Sequence, residues 1–276
     1  MKDKRQSDRL TLQHKTSEGV LGIFDDDAKD HDKEVYNTSL KTINILKKLY
    51  PKLTFRYRKE LLKKEINEHL NKIDKRLGQT LFVQTSYIKP DGGIIEVKDD
   101  NDTWRVILVS EAKFQGKDIE NIKQGKLVGK NNDQILMVAG NAIERAHKNI
   151  CEIANFMITE LHFPYVIFLE GSNFLTEDIT VSRVDGSTYI ISYNNGALNR
   201  LDRLTASNYG MPINTNLCEN IFISNHNINI MLQAASIYTQ GRGNKWKEDE
   251  MIKIMVEIAE TSLKILSKDL FKQLTS

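Results

Sequence analysis

A predicted β-hairpin within residues 89–113 constrains this chain more than any other segment. Two short runs rich in β-branched and aromatic side chains, IIEVK at 94–98 and WRVILVS at 104–110, flank the sequence DDNDT. Such runs are typical of strands, and a cluster of Asp and Asn between them is typical of a turn. The pattern therefore predicts two antiparallel strands, with Asp99, Asp100 and Asp102 as turn formers.

The ends of this hairpin carry charged side chains. If the turn is centred near residue 101, antiparallel pairing places Asp91 opposite about residue 111. Side chains alternate along a strand, so Glu111 and Lys113 point the same way while Ala112 points into the core. The sequence therefore predicts that the carboxylates of Asp91 and Glu111 converge with the ammonium of Lys113.

Two neighbouring carboxylates repel each other unless a cation neutralises them, and partial coordination by hard oxygen ligands suits Mg²⁺. We therefore regard Asp91 and Glu111 as candidate metal ligands. A bound divalent cation can activate water and stabilise charge during phosphodiester hydrolysis, and Lys113 can hold the phosphate and help to orient or deprotonate the water. The same spacing also arises by chance in chains whose carboxylates are simply solvated, so the pattern by itself leaves both readings open.

Helical and strand patterns alternate along the rest of the chain. The first 80 residues are predicted to be largely helical with a break at Pro51, and residues 133–160 carry apolar side chains at helical spacing, with Asn141 as a candidate cap. The apolar run at 165–171 predicts a strand buried on both faces, a second buried stretch lies near 221–224, and residues 246–274 predict a final helix. We expect an α/β fold with a central mixed β-sheet flanked by helices.

Composition excludes little about function. The net charge of +2, from 39 basic and 37 acidic residues, does not by itself indicate a nucleic-acid-binding protein. Only 4 Pro and no Gly/Ser-rich linker occur in 276 residues, which favours a single domain over residues 1–276. No run resembles a signal peptide or approaches the roughly 18 apolar residues of a membrane span. We expect a cytoplasmic protein that does not engage membranes.

Several runs resemble a known family. Pro90 and Asp91, followed by Glu111 and Lys113, match the signature of the PD-(D/E)XK nucleases, and the resemblance to EcoRI-like type II restriction endonucleases extends over nearly the whole chain. The runs that carry it include IKPDGGIIEVKDD, GNAIERAHKNI, FPYVIFLEGSNFLTE, LNRLDRLTASNYGMPIN and LQAASIYTQG.

This resemblance implies a restriction-endonuclease-like fold, a two-fold homodimer that binds double-stranded DNA, and Mg²⁺ as cofactor. It further implies cleavage of GAATTC after the G, leaving 5′ overhangs. A DNA methyltransferase for the same site is expected in the bacterial host, without forming a stable complex with this protein. Asp91 and Glu111 become metal ligands and Lys113 the catalytic lysine, in agreement with the hairpin argument.

The resemblance also implies residues that contact DNA. Asn pairs with adenine and Arg with guanine in the major groove, so the candidate base readers and their supporting residues are Met137, Asn141, Ala142, Glu144, Arg145, Arg200 and Arg203. Candidate phosphate contacts are Lys117, Lys148 and Asn149. Without the resemblance, the charged members would be read as solvated surface and the apolar ones as core. The chain departs from the family pattern at Phe114, Val138 and Ala197, which bears on stringency at related sites.

Two alternatives stay open. One is a DNA-binding protein that keeps the fold without catalysis, against which an intact set of Asp91, Glu111 and Lys113 argues. The other is a nuclease that selects DNA junctions or ends over a particular sequence. Competition with an unlabelled GAATTC duplex would separate the second alternative from a sequence-specific enzyme.

Overall fold

The computed structural model describes residues 26–78, 84–128, 133–136, 142–193 and 221–270. Its helices are α1 (Asp26–Leu49), α2 (Lys63–Ile73), α3 (Asp118–Lys123), α4 (Ala142–Phe156) and α5 (Glu248–Leu270). Its strands are β1 (Phe55–Arg58), β2 (Leu61–Leu62), β3 (Tyr87–Ile88), β4 (Gly93–Lys98), β5 (Trp104–Phe114), β6 (Tyr165–Glu170), β7 (Ile179–Ser182), β8 (Thr188–Ile191), β9 (Ile221–Asn225), β10 (Ile228–Leu232) and β11 (Ser236–Thr239).

A five-stranded sheet in the order β1-β4-β5-β6-β11 forms the centre of the fold. The pairs β1–β4 and β4–β5 are antiparallel, whereas β5–β6 and β6–β11 are parallel. All six residues of β6 are buried, as expected for a strand covered on both faces. The predicted α/β class with a central mixed sheet is therefore confirmed.

The β4–β5 hairpin forms as predicted, with one irregularity. Lys98 pairs with Trp104, so the turn is centred on residue 101. A register shift between Ile95 and Glu96 then places Gly93 opposite Ser110, one residue beyond the regular register. Such a bulge adds a residue to one strand and breaks the alternation of faces. Asp91 consequently lies level with Ala112, whose N–H donates to Asp91 Oδ2 at 3.4 Å.

The turn chemistry is also confirmed. Asp99 Oδ1 accepts hydrogen bonds from the backbone N–H groups of Asn101 at 2.9 Å and Thr103 at 2.8 Å. Asp102 adopts a φ of 59°, the left-handed conformation that Asp and Asn tolerate better than most residues. These aspartates therefore shape the turn at the end of the hairpin remote from Asp91.

Helices cover both faces of the sheet. On one face, α1 and α5 pack through Leu46 and Met255 against Leu108 and Phe168. On the other, α2 and α4 pack through residues such as Ile66 and Ile150 against Val109, Tyr165 and Ile167. A fully buried side chain of this size contributes roughly 1.5–3 kcal/mol, so these two layers hold the sheet in place. Glu111 shares its face with Val109, and it therefore points towards α4.

The helical predictions hold in the main. The described part of the first 80 residues is largely helical, with α1 ending at Leu49 just before Pro51, but residues 55–58 form edge strand β1, in which Phe55 and Tyr57 alternate with arginines. A helix follows the candidate cap Asn141, with α4 described from Ala142, and residues 133–136 ahead of it are not helical. One expectation is wrong: the stretch near 221–224 is a strand, but within the described residues it pairs with β10 alone, and Ile223 is 46% exposed. Pairing in a two-stranded hairpin leaves one face without a covering layer, which accounts for that exposure.

Among the described residues, none of the helices combines the length and the apolar character that a bilayer crossing requires.

A buried histidine ties α1 to β6. His31 Nε2 lies 3.0 Å from the carbonyl oxygen of Phe168, and Nδ1 lies 2.9 Å from Glu170 Oε2. His31 and Glu170 are only 1% and 2% exposed. Burial by itself would lower the pKa of His31, but the Glu170 carboxylate and the Phe168 carbonyl raise it above its ordinary value. The ring therefore lies between two acceptors, and its raised pKa favours the charged form.

This arrangement predicts a pH-dependent contribution to stability. A raised folded-state pKa means that the contribution is fully present below the ordinary histidine value of about 6.5 and is lost as pH rises through the higher folded-state value. His31→Gln should therefore lower the free energy of unfolding at pH 6 more than at pH 9. Urea denaturation of both proteins across that range measures the difference, and a gap that stays constant with pH would contradict it.

Candidate active site

The structure brings Asp91, Glu111 and Lys113 together. Lys113 Nζ donates to Asp91 Oδ2 at 2.6 Å, to Glu111 Oε1, and to the carbonyl oxygen of Ala112 at 2.7 Å. Three oxygen atoms therefore surround one cationic nitrogen. Lys113 is 12% exposed and Asp91 25% exposed, so the group opens to solvent on the Asp91 side.

Two glycines after Asp91 let the chain approach its neighbours closely. Gly93 has a φ of 80°, and a Cβ at this position would lie 2.3 Å from the hydroxyl of Tyr57. A Cβ on Gly92 would lie 2.2 Å from Ser110 Oγ, while the Gly92 N–H donates to the Ser110 carbonyl at 2.9 Å. A side chain fits at neither position, so the glycines are needed to set Asp91 beside β5.

Glu111 is the most deeply buried member of the group, at 1% exposure. Tyr165 Oη donates to Glu111 Oε2 at 3.0 Å, and Asn149 Nδ2 lies 3.3 Å and 3.4 Å from the two carboxylate oxygens. Burial raises the pKa of Glu111 to about 7, against the attraction of Lys113 and with a further contribution from the charge of Asp91. Glu111 thus changes protonation near neutral pH in the protein without metal.

Lys113 is held in its charged form. Burial would lower the pKa of Lys113, but the carboxylates of Glu111 and Asp91 raise it above its ordinary value. The Lys113 ammonium therefore compensates the negative charges of Asp91 and Glu111. It can pair with a different anion once another cation neutralises those two carboxylates.

A third carboxylate belongs to the same electrostatic group. Burial, and then the charge of Asp91, raise the pKa of Asp32 on α1 to about 6, while Lys113 and His31 act in the opposite direction. Sequence reasoning missed Asp32, because nothing in the local pattern of α1 distinguishes it from the neighbouring acidic residues.

Tyr165 is a further residue of the site that the sequence does not identify, because the pattern predicts only that it belongs to a buried strand. A signal was present in the sequence, because a tyrosine inside a fully buried strand needs a hydrogen-bond partner for its hydroxyl.

Some predicted DNA contacts lie within the described chain. Asn149 contacts Glu111, as described above, and Lys148 is exposed on the same helix. Lys117 lies 2.5 Å from Asp27, which is also 3.4 Å from Lys245. A phosphate at Lys117 would therefore compete with the Asp27 carboxylate. Phe114 is half-buried at the end of β5.

The remaining predicted contacts cannot be placed at side-chain level. Ala142, Glu144 and Arg145 belong to the first turn of α4, and only their backbone is described. The other predicted positions lie outside the described residues: Met137, Val138, Asn141, Ala197, Arg200 and Arg203. The first turn of α4 is two turns from Asn149, so the segment predicted to read bases precedes, in sequence, a helix that contacts Glu111.

A second group of potential metal ligands lies between α1 and the end of β6. Donor atoms of His31, Glu34 and Glu170 all fall within 4.8 Å of one another. Both nitrogens of His31 already face acceptors, however, and Glu34 is exposed. Asp91 and Glu111 instead offer carboxylate oxygens that already converge on one cationic atom.

Comparison with known proteins gives consistent matches over the chain. The family described as restriction endonuclease EcoRI matches residues 17–273. The type II restriction enzyme EcoRI of Escherichia coli is 63% identical over 276 residues, covering 100% of both chains. The type II restriction enzyme RsrI of Cereibacter sphaeroides is 47% identical over 269 residues, covering 98% of this chain and 96% of that enzyme.

Proposed function

This chain belongs to the EcoRI family of restriction endonucleases, and we propose that its Asp91, Glu111 and Lys113 hydrolyse one phosphodiester bond in each strand of a short palindromic DNA site. It is a type II restriction enzyme, a site-specific deoxyribonuclease. The proposed site is GAATTC, cut after the G to leave 5′ overhangs. The proposal extends to a single restriction endonuclease domain over residues 1–276.

The oxygen atoms around Lys113 support the proposed use of Mg²⁺. Enzymes of this family depend on a metal ion. Asp91 Oδ2, Glu111 Oε1 and the Ala112 carbonyl oxygen already converge on a cationic atom, so these residues fit a cation with hard oxygen ligands. We infer that Asp91 and Glu111 would hold the ion. When bound, it would neutralise charge on the phosphoryl group and activate water for attack.

Lys113 would then change partners. With Asp91 and Glu111 neutralised, its ammonium is free to donate to a scissile phosphate and to help orient the attacking water. Asp91 would face solvent and the incoming DNA, while Glu111 stays fixed from behind by Tyr165 and Asn149. In this arrangement Lys113 would contact the phosphate, while the Glu111 carboxylate would keep its position.

Recognition is proposed for the residues that the family resemblance assigns. Asn141, Arg145, Arg200 and Arg203 would read base edges with help from Met137, Ala142 and Glu144, and Lys117, Lys148 and Asn149 would lie along the backbone. A homodimer whose two-fold axis coincides with that of the palindrome would present these residues to both half-sites. A methyltransferase for the same sequence would protect host DNA in the bacterial cytoplasm.

The convergence of Asp91, Glu111 and Lys113 is the observation that carries this proposal, and plasmid cleavage tests it. A plasmid with one GAATTC site should be linearised in Mg²⁺, and sequencing of the ends should place both cuts between G and A. A matched plasmid with GAATTC changed to GTATTC should be cut more slowly by about 5- to 150-fold or more, since one mismatched pair typically costs about 1–3 kcal/mol of binding energy. Cleavage of both plasmids at the same rate would contradict the assigned specificity, and cleavage of neither would contradict the nuclease assignment.

A further inference from the structure

Tyr165 places a hydroxyl group inside an otherwise apolar layer. It is the first residue of β6, it is completely buried, and its ring stacks on Phe163 with centroids 5.9 Å apart. Its neighbours in this layer include Ile150, Ile167 and Leu169. A phenylalanine would fill the same space without a polar atom, so packing alone gives no reason for the hydroxyl.

Strand register directs this hydroxyl at Glu111. In the parallel β5–β6 pair, Val109 lies opposite Tyr165 and Glu111 lies opposite Ile167. Tyr165 and Glu111 are therefore diagonal neighbours on the same face of the sheet. The tyrosine ring has two side-chain torsions, both fixed by the surrounding core, so the position of its oxygen is set by the fold.

The two oxygens of Glu111 consequently have different partners. Oε2 accepts from Tyr165 at 3.0 Å, whereas Oε1 accepts from Lys113 at the point where the Asp91 and Ala112 oxygens also converge. Tyr165 Oη is the donor in this contact, because a carboxylate oxygen can only accept from a phenol. Oε2 of Glu111 is therefore held by a donor within the core, and Oε1 faces the position of the Lys113 ammonium.

We propose that Tyr165 is a positioning residue that holds Oε2 of Glu111 so that Oε1 faces the catalytic metal. This inference rests on the proposed function and adds to it a residue on the central strand β6. Tyr165 does not touch DNA or the reacting atoms, and it acts only through Glu111. Partners of this kind that orient a metal ligand typically account for about 10- to 100-fold in metal affinity or activity.

Tyr165→Phe tests the inference, with Tyr50→Phe as a matched control. Tyr50 Oη also donates to a glutamate, Glu260 Oε1 at 2.9 Å, but it joins α1 to α5 away from the site. In Tyr165→Phe the half-saturating Mg²⁺ concentration for GAATTC cleavage should rise about 10-fold or more, and kcat should fall while KM for DNA is unchanged. Tyr50→Phe should match the unsubstituted protein in all three quantities.

A second readout does not depend on catalysis. Titration of the protein with Mn²⁺, followed by electron paramagnetic resonance, should give a dissociation constant about 10-fold higher for Tyr165→Phe than for Tyr50→Phe. Urea unfolding of both variants shows whether they lose similar stability, so that a metal defect confined to Tyr165→Phe cannot arise from weakened folding.

Failure of the proposed function and failure of the inference about Tyr165 give different results. If the unsubstituted protein does not cut GAATTC, the proposed function fails, whereas the Mn²⁺ titration still tests the role of Tyr165. If the unsubstituted protein cuts and Tyr165→Phe has the same metal dependence and Mn²⁺ affinity as Tyr50→Phe, Tyr165 is only a buried core residue and the inference is overturned.

Discussion

Lys113→Ala is expected to reduce the single-turnover rate of GAATTC cleavage by about 10²- to 10⁴-fold. The substitution removes the only cationic group that lies between the Asp91 and Glu111 carboxylates among the described residues. Without it, charge that develops on the phosphoryl oxygens loses a donor, and the attacking water loses a group that orients it. Rapid-quench measurement at saturating protein and Mg²⁺ isolates this chemical step from DNA binding.

Binding of the same duplex should persist in Lys113→Ala. Measured in Ca²⁺, which keeps the two carboxylates neutralised, the dissociation constant should stay within about threefold, because phosphate contacts elsewhere supply most of the affinity. Lys98→Ala is a suitable control, since Lys98 pairs with Asp102 at 2.6 Å at the opposite end of the same hairpin. Loss of binding that matches the loss of cleavage would assign Lys113 to DNA affinity instead of chemistry.

The β4–β5 hairpin shows how much of the site can be predicted from the local sequence pattern. Residue alternation and turn chemistry predict the pairing of Lys98 with Trp104, and the structure has it. They do not predict the bulge, because β5 is apolar on both faces and its pattern does not show where an extra residue is inserted. In the structure, Ile107 and Leu108 are consecutive residues that lie in one core layer, while Val106 and Val109 lie in the other. Asp91 still reaches Lys113, because it lies beyond the end of β4 and is not bound by the strand register.

Contacts between distant segments account for what the sequence does not reveal. Asp32 and His31 reach the site from α1, some sixty residues before Asp91, and their role depends on how α1 packs across β5 and β6. The pattern FRYR of β1 alternates as a strand should, but four residues between two helical patterns are too few to outweigh them. In both cases the deciding interaction is tertiary.

Glu111→Gln is expected to slow cleavage strongly without weakening the fold. The variant keeps the shape of the side chain but removes the negative charge that a divalent cation needs, so the rate should fall by about 10²- to 10³-fold or more. The amide can still be satisfied: its oxygen can accept from Lys113 and Asn149, and its N–H can donate to the hydroxyl oxygen of Tyr165.

Glu111→Gln should raise the free energy of unfolding above neutral pH although it lowers activity. The pKa of Glu111 is raised to about 7 in the fold, so the folded protein binds this proton more tightly than the unfolded chain does. The free energy of unfolding therefore falls as pH rises from the ordinary glutamate value towards 7, by on the order of 3 kcal/mol in the absence of metal. Glutamine carries no such penalty, so Glu111→Gln should unfold at a higher urea concentration than the unsubstituted protein at pH 8 and at a similar one near pH 5.

Glu96→Gln provides the contrast that makes this result interpretable. Glu96 is an equally buried carboxylate on the neighbouring strand β4, but Arg56 donates to it at 2.6 Å and it takes no part in the site. Its substitution should cost about 1.5–3 kcal/mol, because it removes a charged hydrogen bond, and should spare cleavage. A destabilised Glu111→Gln that resembles Glu96→Gln would mean that the Glu111 charge supports the fold. A stable, inactive Glu111→Gln would mean instead that the fold holds a destabilising buried charge which is needed for catalysis.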